Sequence, residues 1–535
     1  MSVTTARAAH GMVVAPHHLA AEAGLAILRE GGNAVEAMVA AAAAIAVVYP
    51  HMNGLGGDNF WLISEAGKPP TAIDACGASA GLASRERYGA IGCEQGIPSR
   101  GPTAALTMAG TVSGWAAALE QARALGGRMP LSRLFADARS YAASGFPVSG
   151  TQARNTANKR AELESVPGFA ETFMPGRVPP SAGSAMRLPR IAATLEQLAH
   201  AGLDDFYRGD LARSVAADLE AAGSPLRLAD FERHRALVIS PLVAALKTGN
   251  VYGMPPPTQG LASLIILGLF DRLGVTRADG FEHVHGLIEA TKRAFMVRDA
   301  HVCDPAYMSV DPARFLAPGW LDETAAKIDR TSALPWPQPA KPGDTVWLGA
   351  IDRFGTAVSF IQSVYWEFGS GLVLPGSGVL WQNRGTSFSL DPRHRNALEP
   401  FRRPFHTIQP GLARLSDGRV MPFGTMGGEG QPQTMAAVFT RHVQFGQDLQ
   451  QAISAPRWLL GRTWGSSATN LRIESRFDPA VIDALRLAGH DVEVIGPMDE
   501  VMGHAGALVL HRSGPLAGTI EGASDPRSDG RAAGL

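Results

Sequence analysis

A threonine at the start of a polypeptide is a nearly complete amide-cleaving catalyst. Its hydroxyl attacks, and the α-amine of the same residue takes the proton. That amine titrates at about 8 or slightly below, so a useful fraction is neutral at physiological pH. In this chain Thr345 is placed to become such a residue. It follows Lys341-Pro342-Gly343-Asp344, the end of a Pro-rich, poorly periodic segment that begins near Ala333, and it opens the strand-like run Thr345–Ile351. A cut before Thr345 would expose it. From spacing alone, a plain β-branched strand opener is the commoner reading of the same residue.

Other chemistries were weighed on the same terms. Gly77-Ala78-Ser79-Ala80-Gly81 matches the G-x-S-x-G elbow of serine hydrolases and follows a strand-like run, Thr71–Ala75. Patterns of three small residues also arise by chance in a chain with 60 glycines. Gly424-Thr425-Met426-Gly427-Gly428-Glu429-Gly430 lies between a strand and a helix, where backbone N–H groups can hold an anion. Taken alone, a tight turn is the commoner reading of that run. Metal spacing is poor: His17-His18 are adjacent, His283 and His285 are two apart, and His301 with Asp304 reads as a helix end. No metal or other cofactor is expected. Gly54-x-Gly56-Gly57 precedes a strand, the reverse of a dinucleotide fingerprint.

The elements that must carry these residues follow from patterning. Apolar residues recur at helical spacing over His18–Arg29, and Gly31-Gly32 ends that helix. Asn33 can cap a second, Ala-rich helix. Helices are also expected at Ala104–Leu125, Leu131–Ala143, Arg187–Ala201, Phe206–Ala222, Leu261–Leu273 and Phe281–Arg298. Beyond Thr345 strands dominate: Thr345–Ile351 and Thr356–Gln362 joined by Asp352-Arg353-Phe354-Gly355, then Gly378–Gln382, Pro410–Leu415 and Val420–Gly424. The 535 residues carry a formal net charge of −1, with 45% hydrophobic and 18% charged residues. That balance gives no electrostatic footprint for nucleic acid or an anionic membrane. Cys76, Cys93 and Cys303 are far apart, which fits a reducing compartment. Met1–His10 has no apolar signal core, so the expectation is a cytoplasmic protein.

These pieces, taken in order, resemble the γ-glutamyltranspeptidase family of N-terminal-nucleophile hydrolases along nearly the whole chain. The matching segments include Gly31-Gly32-Asn33-Ala34-Val35-Glu36-Ala37, Gly54-Leu55-Gly56-Gly57-Asp58, Pro255-Pro256-Pro257-Thr258-Gln259-Gly260, and Glu289 to Phe295 with Asp304-Pro305. Further along come Asp344-Thr345, Phe368-Gly369-Ser370-Gly371, Arg403-Pro404, Gly427-Gly428 and Gly522 to Arg527. The resemblance implies an α/β fold, a four-layer α/β/β/α sandwich built jointly by two autoprocessed subunits. Residues 1–344 would form the large subunit and 345–535 the small one, with a heterotetramer as an assembly left open. It implies catalysis by Thr345, with Ser363 bonded to the nucleophile and Gly427 and Gly428 at the oxyanion hole.

The substrate positions depart from the family pattern. Cys76 stands where the family has the arginine for the substrate α-carboxylate. Ser387 replaces the acidic residue for the α-amino group, Tyr365 an asparagine, and His406-Thr407 a Ser-Ser pair. Thr345-Val346-Trp347 replaces a Thr-Thr-His opening. Losing a charged hydrogen bond costs about 1.5–3 kcal/mol, so glutathione is a poor expectation as substrate. Arg384 can hold a carboxylate from another direction, or form a structural salt bridge. Branches with such changes look like cephalosporin or glutaryl acylases and like oxamate amidohydrolases of purine-nitrogen breakdown. The expected activity is hydrolysis of a small, carboxylate-bearing amide of the oxamate type. Dicarboxylyl acylase, γ-glutamyl hydrolase, a Ser79 esterase and a silent scaffold are the alternatives.

Overall fold

The computed structural model describes residues 4–94, 96–336, 344–461 and 469–535. The segment Lys341-Pro342-Gly343 therefore lies outside the described residues. Two seven-stranded sheets face each other. The Asp344–Asp352 strand sits inside one of them, antiparallel to Gly11–Ala15 on one side and to Ala357–Tyr365 on the other. Asp58–Ser64, Thr71–Asp74 and Leu237–Ile239 continue that sheet outward, and Arg531–Gly534 closes its far edge. The second sheet joins Gly411–Leu415 and Val420–Thr425 to Ala505–Leu510, Ile520–Ser524 and the hairpin of Leu242–Leu246 with Gly249–Gly253. Strands from both ends of the chain thus interleave in each sheet, so neither half of the sequence makes a sheet alone.

Helices cover both outer faces. His18–Arg29, Ala34–Val48 and Thr111–Ala124 pack on the sheet of Thr345; Gly260–Leu273 and Gln431–Phe439 pack on the other. The four layers are those of the expected sandwich. Every residue of Ala34–Val48 is buried, and its run of alanines keeps both helix propensity and close approach to the strands. Its start is fixed twice. Asn33 and Glu36 form a reciprocal capping box, and Asp352 Oδ2 accepts the Ala34 N–H at 2.9 Å. The other oxygen of Asp352 accepts the N–H groups of Phe354 and Thr356. One side chain therefore sets the hairpin turn after the Thr345 strand and anchors a helix from the other half of the chain.

Several expected elements are shorter than their patterns. The helix expected over 104–125 begins only at Thr111, because Ala75 and Asp58 crowd the backbone at Gly110. The one expected over 131–143 breaks at Phe135, and the one over 206–222 at Gly209. Residues 378–382 form no strand. They contribute isolated bridges, Val373 with Leu380 and Gly56 with Trp381, because Gly56 and its neighbours run across them. Among the described residues no helix is long and apolar enough to cross a membrane. The three cysteines are free.

Between the sheets, Trp347 fills the layer directly behind Thr345. Its indole N–H donates to Ser359 Oγ at 2.9 Å. Glycines wall the ring: a Cβ at Gly424 would meet it at 2.2 Å and one at Gly506 at 2.4 Å. Trp347 was expected beside the substrate; the structure places its ring in this packed layer. Gly506→Ala is expected to overpack the layer and lower stability by about 1–3 kcal/mol. The check is a fall in thermal midpoint, partly relieved in the double variant Gly506→Ala/Trp347→Leu.

Candidate active site

Thr345 lies at an irregularity in the ladder. Asp344 pairs with Tyr365 and Val346 with Gln362, so the register shifts across Thr345. The residue is fully buried, and its Oγ1 donates to Ser363 Oγ at 3.3 Å. Ser363 Oγ in turn accepts the Tyr365 N–H at 2.8 Å. Tyr365 has φ +84°, a left-handed backbone rare for an aromatic residue and usually found where surrounding structure enforces it. Ser363 is also held from behind. Gly57 passes so close that a Cβ there would sit 2.2 Å from the Ser363 carbonyl oxygen. This close approach gives the second glycine of Gly56-Gly57 its purpose.

Gly427 and Gly428 form the bend between the Val420–Thr425 strand and the following helix, with φ of +120° and +52°. The Gly427 carbonyl accepts the Gly430 N–H at 2.8 Å. In a trans peptide the N–H points opposite to the carbonyl, so the Gly428 N–H faces away from the turn. The Gly428 carbonyl accepts a hydrogen bond from Gln259 Nε2 at 2.8 Å, and the same amide reaches the Thr407 carbonyl at 2.6 Å. Arg298 completes the support by donating to Gln259 Oε1 and to Glu429. In the sequence Gln259 stands out only as part of the Pro255–Gly260 motif. Its position at the end of a Pro-rich turn, leading into a helix, was the one signal of this bracing role.

Around Tyr365 the structure gathers Arg384, Thr407, His406, Asp58, Cys76 and Ser387, all buried. The Arg384 guanidinium lies 3.7 Å from the Tyr365 ring centroid and donates to Thr407 Oγ1 at 3.3 Å. It forms no ion pair among the described residues, and its Nε has no hydrogen-bond partner. The salt-bridge alternative for Arg384 is thereby removed. Burial lowers its pKa to about 10, with Tyr365, Asp58 and Cys76 opposing, so it stays cationic at neutral pH. His406 is driven well below the ordinary histidine range by burial and then by Arg384, so it is neutral. Burial likewise pushes the Cys76 thiol well up. The nearby Arg403 is already committed to Asp74 and Asp304.

Ser79 does not stand in a catalytic elbow. Its hydroxyl donates to the Glu399 carbonyl and accepts the Arg402 N–H at 3.0 Å, and the next helix starts only at Arg85. Among the described residues no histidine bonds it; it stitches two loops together. A cluster of His285, Glu289 and His490 has ligand atoms within 4.8 Å of one another. Its groups are already satisfied, since His285 and His490 bond each other at 2.9 Å and Glu289 pairs with Lys292 and Arg293.

Two facing sheets under outer helices, with a buried threonine at the head of an inner strand, define an N-terminal-nucleophile hydrolase, an enzyme class acting on amide bonds. The gamma-glutamyltranspeptidase family profile matches residues 20–535, and the chain belongs to that family. It is 56% identical over 526 residues to the oxamate amidohydrolase proenzyme of Klebsiella pneumoniae subsp. pneumoniae, covering 98% of each chain. It is 40% identical over 529 residues to the glutathione hydrolase-like YwrD proenzyme of Bacillus subtilis, again 98% of each. Among solved structures, cephalosporin acylase from Bacillus halodurans superposes with a TM-score of 0.90 at 34% identity, covering 100% of this chain and 97% of that one.

Gln259→Leu removes the side-chain donor of the buried Thr407 carbonyl and one of the two donors of the Gly428 carbonyl, which keeps the Gln431 N–H. Stability should fall by about 1–3 kcal/mol for the group left unpaired. Urea unfolding should show a lower midpoint at unchanged slope.

Proposed function

We propose that this protein is an autoprocessing amidohydrolase that cuts its own Asp344–Thr345 bond and then hydrolyses a small, carboxylate-bearing amide of the oxamate type. The observation that carries the substrate reading is Arg384: a buried cation that closes no ion pair among the described residues, stacked on the residue that pairs with Asp344. A buried charge normally has a partner. A substrate carboxylate would supply one, in a site whose Cys76 and Ser387 no longer offer the family's zwitterion clamp. The relationship to an oxamate amidohydrolase proenzyme supports the same reading.

In processing, Thr345 Oγ1 would attack the Asp344 carbonyl carbon. The acyl group moves from nitrogen to oxygen, and water hydrolyses the ester. This leaves a carboxylate on residue 344 and an α-amine on residue 345. The new subunits would be residues 1–344 and 345–535. In turnover that amine takes the Thr345 hydroxyl proton as the oxygen attacks the substrate amide. The N–H groups of Gly427 and Gly428 would hold the developing oxyanion, and Ser363 would orient the nucleophile. Collapse expels the amine or ammonia with a proton, and water then releases the acid from the acyl-enzyme. Arg384, with Thr407 and His406 beside it, would hold the carboxylate; Tyr365 and Ser387 would line the same space.

Intact mass of the purified protein should show two fragments divided between residues 344 and 345, and Thr345→Ala should remain one chain. An uncut but active chain, silenced by Ser79→Ala and not by Thr345→Ala, would overturn the mechanism. Ammonia release should be faster from oxamate than amine release from glutaryl- or γ-glutamyl-anilides. Arg384→Gln should lower kcat/KM for oxamate about tenfold to a hundredfold, as expected for one charged hydrogen bond, while leaving processing intact. Preference for an anilide would refute the oxamate reading.

A further inference from the structure

The Gly54–Asp58 motif brings a second charged group into the Arg384 site. Asp58 is fully buried. Its Oδ1 accepts the N–H groups of Gly77 at 3.1 Å and Gly110 at 3.0 Å. Its Oδ2 has no hydrogen-bond partner. His406 Nε2 approaches that oxygen to 3.5 Å without forming a hydrogen bond, and both ring nitrogens of His406 are unpartnered. Arg384 is near enough to act on Asp58 electrostatically, yet the two form no ion pair. A buried acid and a buried cation thus share one small space without closing on each other. Several polar atoms in that space lack partners, as expected of a site completed by a ligand.

We propose that Asp58 is a specificity-determining residue that acts as a neutral carboxylic acid, its Oδ2–H donating to the same anionic group that Arg384 holds. The site would then take up a small carboxylate together with one proton. This rests on the reading of Arg384 as the carboxylate site. The alternative state, an ionised Asp58 beside a bound carboxylate, places two anions in a dry pocket against one guanidinium.

The surroundings give the pH dependence. Burial raises Asp58 to about 7, with Arg384, the Gly77 and Gly110 N–H groups and the Gln382 side chain opposing. The other titratable groups facing it are Arg384, His406, Cys76 and Tyr207. Arg384 remains charged and His406 neutral, while burial raises both the Cys76 thiol and the Tyr207 phenol. Of these five groups only Asp58 changes charge between about pH 6 and 8. The α-amine that processing would create on Thr345 titrates in a nearby range, so a variant must separate the two. Below about pH 7 Asp58 is already protonated and ligand binding draws no proton from solution. Above it, binding must protonate Asp58, and affinity falls by up to about tenfold per pH unit.

Calorimetric titration of the enzyme with oxalate, the acid that oxamate hydrolysis releases, tests this. Titrations in phosphate and in Tris, whose ionisation heats differ, count the protons taken up. At pH 8 the wild-type protein should take up nearly one proton more per oxalate than Asp58→Asn, whereas at pH 6 the two should agree. Asp58→Asn, which keeps a donor at this position, should bind oxalate about tenfold more tightly than wild type at pH 8. Equal proton uptake by both proteins at pH 8, or loss of oxalate binding in the variant, overturns the role of Asp58. If the variant fails to fold, wild-type binding without proton uptake at pH 8 overturns it alone. Oxalate binding with the expected proton uptake, but no ammonia from oxamate, leaves Asp58 standing and refutes the substrate reading instead.

Discussion

The site depends on one placement: Thr345 must lie at the head of a strand with neighbours on both sides. The Asp344–Asp352 strand meets this by pairing with Gly11–Ala15 and Ala357–Tyr365 at once. The second pairing brings Ser363 to Thr345 Oγ1 and stations Tyr365 across from Asp344. The first ties the strand to the opposite end of the chain. A one-residue slip would send every side chain of the strand to the other face. The two-sided pairing, the Asp352 anchor and the glycine-walled Trp347 all oppose such a slip. The shift between Asp344 and Val346 sets Thr345 opposite two residues of the neighbouring strand, Ser363 and Val364, and regular pairing resumes at Val346.

The second constraint is electrostatic. Large proteins bury arginines, but they pair them. Here Arg457 and Arg527 sit in a closed network with Asp525 and Glu474, every charge answered within the protein. Arg384 is equally buried and closes no ion pair among the described residues, with Asp58 acting on it only from a distance. The contrast supports the proposed ligand role of Arg384, because the same fold pairs its other deeply buried guanidinium groups with carboxylates. The charged network around Arg527 belongs to the terminal Gly522–Arg527 motif, whose contribution is therefore architectural: it holds the strand Ile520–Ser524 against the loop carrying His504.

Much of this was legible in the sequence, and the reasons differ by residue. Thr345, the Asp352–Gly355 hairpin and the Asn33 cap are local signals, written in turn chemistry and β-branching. The glycines at 56, 57, 427 and 428 could be marked as special but not explained. Their reason is contact with segments hundreds of residues away or a backbone angle that only folding imposes. Arg384 was suspected from its neighbourhood, yet choosing between salt bridge and ligand site required knowing which carboxylates fold near it. Gln259 and Asp58 were seen only as letters in motifs, since bracing a carbonyl or sharing a pocket leaves no periodicity. Trp347 was misplaced for a related reason. Being two residues from the nucleophile puts it on the same face of the strand, but that face is mostly the interior between sheets.

The division between retained and altered positions has a physical basis. Thr345, Ser363, Gly427 and Gly428 are held by strand register, left-handed glycines and a backbone-bracing glutamine, all of which are indifferent to the substrate's side groups. Cys76, Ser387, His406 and Arg384 stand on turns beside the sheets, where a side chain can change without moving the ladder. Exchanging an arginine for Cys76 at one edge of the pocket and supplying Arg384 from another relocates the positive charge relative to Thr345. A carboxylate held by Arg384 would lie beside Tyr365 and Asp58. An extended zwitterion would find a cation there but no acceptor for its ammonium group other than Asp58, whose burial favours the neutral acid. Under the proposed function, the placement of one guanidinium would select short anionic amides, while strand register and glycine conformation hold Thr345 and Ser363 independently of it.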